Sequence, residues 1–260
     1  MNCLKRSKKT QKKTGVRGKL NYIIFTLLFF TSLISADQKV DYPWLESLDP
    51  GKGYKQSGER LAVLDLGLNP LEKFNGKEKI LLISVHGSRS GGYEWIYPLQ
   101  TLDTENSATF FYRWDDSKCY SSSAKKLIFQ LKKTVRSLPD AERVVIIGHS
   151  YGGVLVASLV EGWNHSLSTE IHSIAGPIGT PFSRGSCDFV PPKFIPDNLV
   201  FYQWKTQHHL DVAFKRLKND PQNLNLENSQ VTRLPETYRG RRLGHNWSIS
   251  WVADELGPLN

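Results

Sequence analysis

Apolar residues in this chain fall into short continuous runs separated by amphipathic stretches. Lys79 to Val85 (Lys-Ile-Leu-Leu-Ile-Ser-Val) and Val144 to Ile147 are apolar nearly throughout, the pattern of strands covered on both faces. Glu170 to Ala175 and Leu199 to Trp204 add two more, Thr109 to Trp114 a short aromatic one, and Leu61 to Leu68 alternates enough for an early strand. Helical patterns lie between them. Tyr93 to Leu102 is one. Ser121 to Leu138 is another, with Leu127, Leu131, Val135 and Leu138 on one face and Lys125, Lys126, Lys132, Lys133 and Arg136 around the rest, a solvated surface. A small-residue helix opens at Gly153, a loop and helix run on from Trp204 through Leu217, and a last helix with Trp247, Trp251 and Val252 closes the chain. Asp37 to Arg60 is turn-rich and reads as a surface wrap. Strands alternating with helices predict a mostly parallel, doubly wound α/β sheet with helices on both faces. The short interval between Ala175 and Leu199 leaves no room for a large cap domain.

The N-terminus departs from this pattern. The formal net charge is +9, but eight basic residues (Lys5, Arg6, Lys8, Lys9, Lys12, Lys13, Arg17, Lys19) and no acidic ones fall in residues 1–36, leaving 26 basic against 25 acidic residues in the rest. The positive balance therefore belongs to the N-terminus, and a nucleic-acid-binding face is not expected. The basic region is followed by the uncharged stretch Leu20 to Ala36, and Ile34-Ser35-Ala36 offers a small-residue cleavage site. This is the anatomy of a secretory signal peptide, with an uncleaved signal anchor as the other reading. The expected organisation is a leader over residues 1–36 and one domain over 37–260, periplasmic or secreted, or else held at the membrane by its N-terminus.

Beyond the leader only Cys119 and Cys187 remain, an even pair that fits either a disulfide in an oxidising compartment or two unpaired thiols. The histidines lack metal-ligand spacing, so neither a metal nor another cofactor is expected. Asn164-His165-Ser166 and Asn246-Trp247-Ser248 match the glycosylation sequon. A glycan on Asn246 would crowd His245, which points to a bacterial, unglycosylated source.

The chemistry centres on Gly148-His149-Ser150-Tyr151-Gly152, placed between the Val144 to Ile147 run and the small-residue helix. G-x-S-x-G in that context is a turn too tight for side chains beside the serine, which lifts its hydroxyl clear of the sheet. The bland alternative is an ordinary strand-to-helix turn with a spare serine. Upstream, the Lys79 to Val85 strand runs into His86-Gly87-Ser88-Arg89-Ser90-Gly91-Gly92, and Gly244-His245 lies near the end. With these three elements the sequence, from about Leu61 to about Leu256, resembles the α/β-hydrolases of the lipase/esterase type.

That resemblance implies a serine hydrolase in which Ser150 attacks, His245 is the base and the Ser88 and Tyr151 amides hold the oxyanion. The orienting acid must follow the Leu199 to Trp204 strand, because ligands bind at the carboxyl ends of strands in such sheets. Asp188 and Asp197 precede that strand, while Asp220 and Glu227 lie beyond the next helical pattern, so Asp211 is the expected acid, with a plain helix cap as its other role. The same resemblance turns His149 away from the site as a core histidine. Tyr93, Trp95, Tyr97, Trp247 and Trp251 are available to line an apolar acyl pocket, with Tyr93, Trp95 and Trp247 foremost. The expected substrate is a small-molecule or lipid ester, met by a monomer without nucleic acid and touching membrane only through the leader or a lipid substrate. Acyl transfer, thioester cleavage, peptide cleavage, or a non-catalytic binding role on the same fold stay open.

Overall fold

The structure is a computed structural model, and it describes residues 44–179, 183–184 and 187–260. The leader over 1–36 lies outside the described residues. In chain order the strands are β1 (Gly67–Pro70), β2 (Ile80–Val85), β3 (Ser107–Arg113), β4 (Arg143–His149), β5 (Ser168–Ile174), β6 (Ser183–Arg184), β7 (Cys187–Asp188), β8 (Leu199–Lys205), β9 (Gln230–Arg233), β10 (Thr237–Tyr238) and β11 (Arg241–Arg242). The helices are α1 (Tyr54–Ala62), α2 (Ile96–Leu102, preceded by a 3₁₀ turn at Tyr93–Trp95), α3 (Tyr120–Ser137), α4 (Tyr151–Ala157) and α5 (Trp247–Leu256).

Seven strands form one sheet in the order β1-β3-β2-β4-β5-β8-β9; every pairing is parallel except that of β1 with β3. The continuous apolar runs explain this. A strand with helices on both faces is buried along its length and so is mostly apolar; all six residues of β2 are buried, with Ser84 the one polar position. Successive side chains go to opposite faces. Leu81, Ile83, Val144 and Ile146 therefore join a core with α3 and α4, while Ile80, Leu82, Val145 and Ile147 join the core of α1, α2 and α5.

Three regions depart from the pattern-based expectation. Leu61 to Leu68 is not a strand: Tyr54–Ala62 forms α1, burying Leu61, and pairing begins only at Gly67. Asp37 to Arg60 accordingly includes most of a helix and not turns alone. The stretch from Leu210 to Leu217 makes successive turns instead of a helix, with the Phe214 and Lys215 amides both bonded to the Asp211 carbonyl. Beyond it β9 adds a parallel edge strand, and the β10–β11 hairpin turns through Arg239 and Gly240, both at positive φ.

Between β5 and β8 the described residues hold only the two-residue β6–β7 ladder, so no large cap is present there. Cys119, just before α3, and Cys187, in β7, form a disulfide. No helix among the described residues is long and apolar enough to cross a membrane.

Candidate active site

The carboxyl ends of β2, β4, β5 and β8 lie side by side in register, with Val85 beside Gly148, His149 beside Ile174, and Ile174 beside Trp204. The chain turns sharply where β4 ends. Ser150 sits at φ 55°, ψ −120°, a conformation L-residues avoid at a cost of about 1–3 kcal/mol. Its amide donates to the Ile174 carbonyl at 2.9 Å, and α4 begins at the next residue. The flanking glycines are forced by space. A Cβ on Gly148 would lie 2.3 Å from the Gly152 carbonyl oxygen, and one on Gly152 would lie 2.4 Å from that of Val85 and 2.5 Å from that of His86. These are backbone atoms and cannot move aside as a side chain could.

The loop after β2 is braced from β3. His86 is buried; its Nδ1 donates to the Gly87 carbonyl at 2.8 Å and its Nε2 accepts the Trp114 amide at 3.1 Å, while Trp114 Nε1 donates to the His86 carbonyl at 2.8 Å. Burial pulls the His86 pKa down, consistent with a neutral ring doing both jobs. Asp116 then fixes the loop, accepting from Ser88 Oγ at 2.9 Å and from the Arg89 amide at 2.8 Å. The Ser88 amide has no acceptor among the described residues. The Tyr151 amide belongs to the first residue of α4, directly after Ser150, while the Tyr151 ring is buried against Trp114 and Tyr120.

His245 precedes α5. Its Nδ1 lies 2.8 Å from Asp211 Oδ2, and Asp211 is fully buried. Burial raises the energy of a carboxylate, yet hydrogen bonds from His245, Thr206 Oγ1 and the Ala213 amide outweigh it, holding the Asp211 pKa below the usual range. Asp211 thus caps its own turn through Oδ1 and meets His245 through Oδ2.

His149 does not face away from the site. It is buried, lines the same cavity as Ser150, and its Nε2 donates to the His245 carbonyl at 3.1 Å, with the two rings 4.7 Å apart. Burial, aided by the nearby His245, pushes the His149 pKa down to about 3. Ser248 Oγ donates to the same carbonyl at 2.6 Å, and Phe214 meets the His245 ring edge-on at 5.1 Å. His245 is therefore held by its carbonyl, its Nδ1 and its ring.

One cavity of about 340 Å³ gathers Gly87, Ser88, Ser150, His149 and His245, with Arg89, Tyr93, Glu94 and Asn246 at its walls. Among the described residues no hydrogen bond joins Ser150 Oγ to His245 Nε2; both side chains open onto this shared space. A larger cavity, about 590 Å³, shares Tyr93, Glu94 and Asn246 with it and adds Tyr54, Tyr97, Tyr238 and Trp247. Tyr93 and Trp247 thus stand where a pocket was expected. Trp95 does not: it is fully buried behind Phe111, as core. Trp251 packs against Trp204 and lines neither cavity.

Sequence reasoning missed Asp116, Thr206 and the true position of His149. For Asp116 a signal existed in Asp115-Asp116 directly after the aromatic strand; for Thr206 and His149 the pattern held none. Among the described residues, no group of His, Cys, Asp and Glu could hold a metal ion.

No protein-family model matches this sequence, and no curated protein does either. Solved structures do. Est1E from Butyrivibrio proteoclasticus is similar with a TM-score of 0.50 and 14% identity, covering 73% of this chain and 89% of that one. A lipase-esterase related protein from Clostridium acetobutylicum is similar with a TM-score of 0.50 and 12% identity, over 74% of this chain and 98% of that one. Taken with the strand order and the turn at Ser150, these likenesses establish that the chain is built on the α/β-hydrolase fold.

Proposed function

We propose that this protein is a serine hydrolase of carboxylic esters that works through an acyl-enzyme. The observation that carries the reading is Ser150 held at a strained turn, opening onto one cavity with a histidine whose Nδ1 is bonded to a buried aspartate. A serine hydroxyl is a weak nucleophile until a base takes its proton. Asp211 accepts from Nδ1 of His245, which leaves Nε2 unprotonated and turned to that task. Ser150 Oγ attacks the ester carbonyl, and its proton passes to Nε2. The negative charge then developing on the carbonyl oxygen meets the Ser88 and Tyr151 amides, held by Asp116 and by the start of α4. Each such donor is worth about 3 kcal/mol of barrier. Nε2 returns the proton to the departing alcohol, and water repeats the cycle on the acyl-enzyme.

Activity-based labelling tests this directly. A fluorophosphonate probe should modify Ser150 in the purified protein, and Ser150→Ala should lose both labelling and nearly all ester turnover with an unchanged melting temperature. An unlabelled Ser150, or a variant within tenfold of wild-type turnover, would refute the assignment.

We place the protein in an exported compartment or at the membrane by its N-terminus; the leader sequence supports this reading, and so does the Cys119–Cys187 disulfide, since such bonds persist under oxidising conditions. Mass spectrometry of the exported protein should find a mature N-terminus at or near Asp37; retention of Leu20 to Ala36 would indicate an anchor instead.

A further inference from the structure

Charge around the site is uneven although, beyond residue 36, the chain is nearly balanced. Arg89 lines the Ser150 cavity. Arg241 lines the larger cavity and also a third, of about 310 Å³, whose wall includes His245 and Arg242. None of these three exposed guanidinium groups reaches a carboxylate among the described residues, whereas Arg143, Arg233 and Arg239 each do. The carboxylates near the cavities are already engaged. Asp254 accepts from Arg239, Tyr97 Oη and Tyr238 Oη. Asp116 accepts from Ser88 and Arg89 as described. Glu94 accepts from Ser90 Oγ, and burial pushes its carboxyl above the usual range. Arg241 and Arg242 therefore bring positive charge to the mouth with no ion-pair partner among the described residues, which attracts and orients anions.

The walls add a second constraint. Tyr54, Tyr93 and Trp247 keep more than a third of their surface exposed, and all three face the larger cavity. Arg241 lies over the Trp247 ring, 5.7 Å from its centre, so its charge is stationed at that wall. Flat apolar surface beside a fixed guanidinium suits a group with an apolar stem and a carboxylate or phosphate end, which arginine can grip with two hydrogen bonds. Because the two cavities share Tyr93, Glu94 and Asn246, one substrate can span both.

We propose that this site selects esters carrying an anionic group, carboxylate or phosphate, on the part that lies in the larger cavity, with Arg241 receiving the anion. This rests on the ester-hydrolase reading above and names its substrate class.

The test compares charged and neutral esters of matched shape on the full chain. For the acyl side the pair is mono-4-nitrophenyl glutarate and its methyl ester; for the alcohol side it is 4-acetoxybenzoate and its methyl ester. In at least one pair the anionic member should show about tenfold higher kcat/KM, the effect of one charge-assisted contact, and the preference should shrink as salt is raised. Arg241→Gln should bring that ratio close to one, while Arg136→Gln, removing the same charge from α3, should leave it as in wild type. A phosphate-ended analogue of the preferred pair distinguishes the two anions: the better substrate names the natural end group. Ratios near one in both pairs, or a ratio retained in Arg241→Gln, would overturn the proposal. If Ser150 is labelled by the fluorophosphonate and the ratios are flat, the anion proposal fails alone. If Ser150 is neither labelled nor active, the hydrolase reading fails, and calorimetry on Ser150→Ala still decides the anion question: tighter binding of the anionic esters supports it, and equal binding ends it.

Discussion

At the scale of single residues, the carboxylate behind His245 separates two effects that are usually confounded. Asp211 is buried, caps its own turn and bonds His245. An amide in its place can still accept from Ala213 but turns an N–H toward His245, which favours the wrong imidazole tautomer. Asp211→Asn should therefore cut turnover by about 10⁴ with a small change in melting temperature. A large drop in melting temperature with turnover near wild type would leave Asp211 only its cap. His149 gives a pH prediction whose sign follows from its depressed pKa. Its folded value of about 3 lies below an unfolded value of about 6.5. Between those values the unfolded chain binds a proton that the folded one excludes, so stability is complete above about pH 6.5 and is lost as pH falls toward 3. His86 and His172, also buried with lowered values, act in the same direction. His149→Gln keeps a donor for the His245 carbonyl but cannot titrate. Chemical denaturation across pH 3–7 should show a flatter acid limb for that variant, and identical limbs would mean that His149 is not the excluded proton site.

At the scale of elements, the central strands were legible because burial on both faces leaves a short continuous apolar run, bounded here by glycines and polar turns. The turn at Ser150 was legible for a related reason: only glycine fits 2.3–2.5 Å from backbone carbonyls, so the steric demand is written as Gly148 and Gly152. Elements at the margins were not. Leu61 to Leu68 alternates like a strand, yet Leu61 is the buried face of α1, and a handful of residues cannot tell a period of 2 from one of 3.6. β9 escaped because an exposed edge strand, Gln-Val-Thr-Arg, carries no apolar run. The contact between Asp211 and His245 was legible because fold topology limits which carboxylates can follow β8. The role of His149 was not, since it depends on a carbonyl 96 residues away that only tertiary structure brings near.

At the scale of the whole molecule, the Cys119–Cys187 bond ties the entrance of α3 to β7 across a sequence separation of 68. In the chain-entropy model a closed loop of that length stabilises by about 4 kcal/mol, a large share of a typical domain's total. Replacing both cysteines with serine should lower stability to chemical denaturation by about that amount; a loss under about 1 kcal/mol would show that the reduced chain keeps the loop closed unaided. Cys187 Sγ also lies 3.7 Å from the Tyr151 hydroxyl, so the bond buttresses the residue beside Ser150. The supports of the site are otherwise divided. His245 hangs from β4 through His149 and from the β8 end through Asp211. The β10–β11 hairpin is instead bolted to α5 and α2 by Asp254, Tyr238, Arg239 and Tyr97. Arg241, which would choose a substrate, therefore rides on the hairpin, while Ser150 and Asp211 stand at the ends of sheet strands, and α5 is the support that the two share through Asp254 and Ser248. Descendants of this chain could trade one hairpin sequence for another, acquiring new preferences by small steps, without renegotiating the alignment on which bond cleavage would depend.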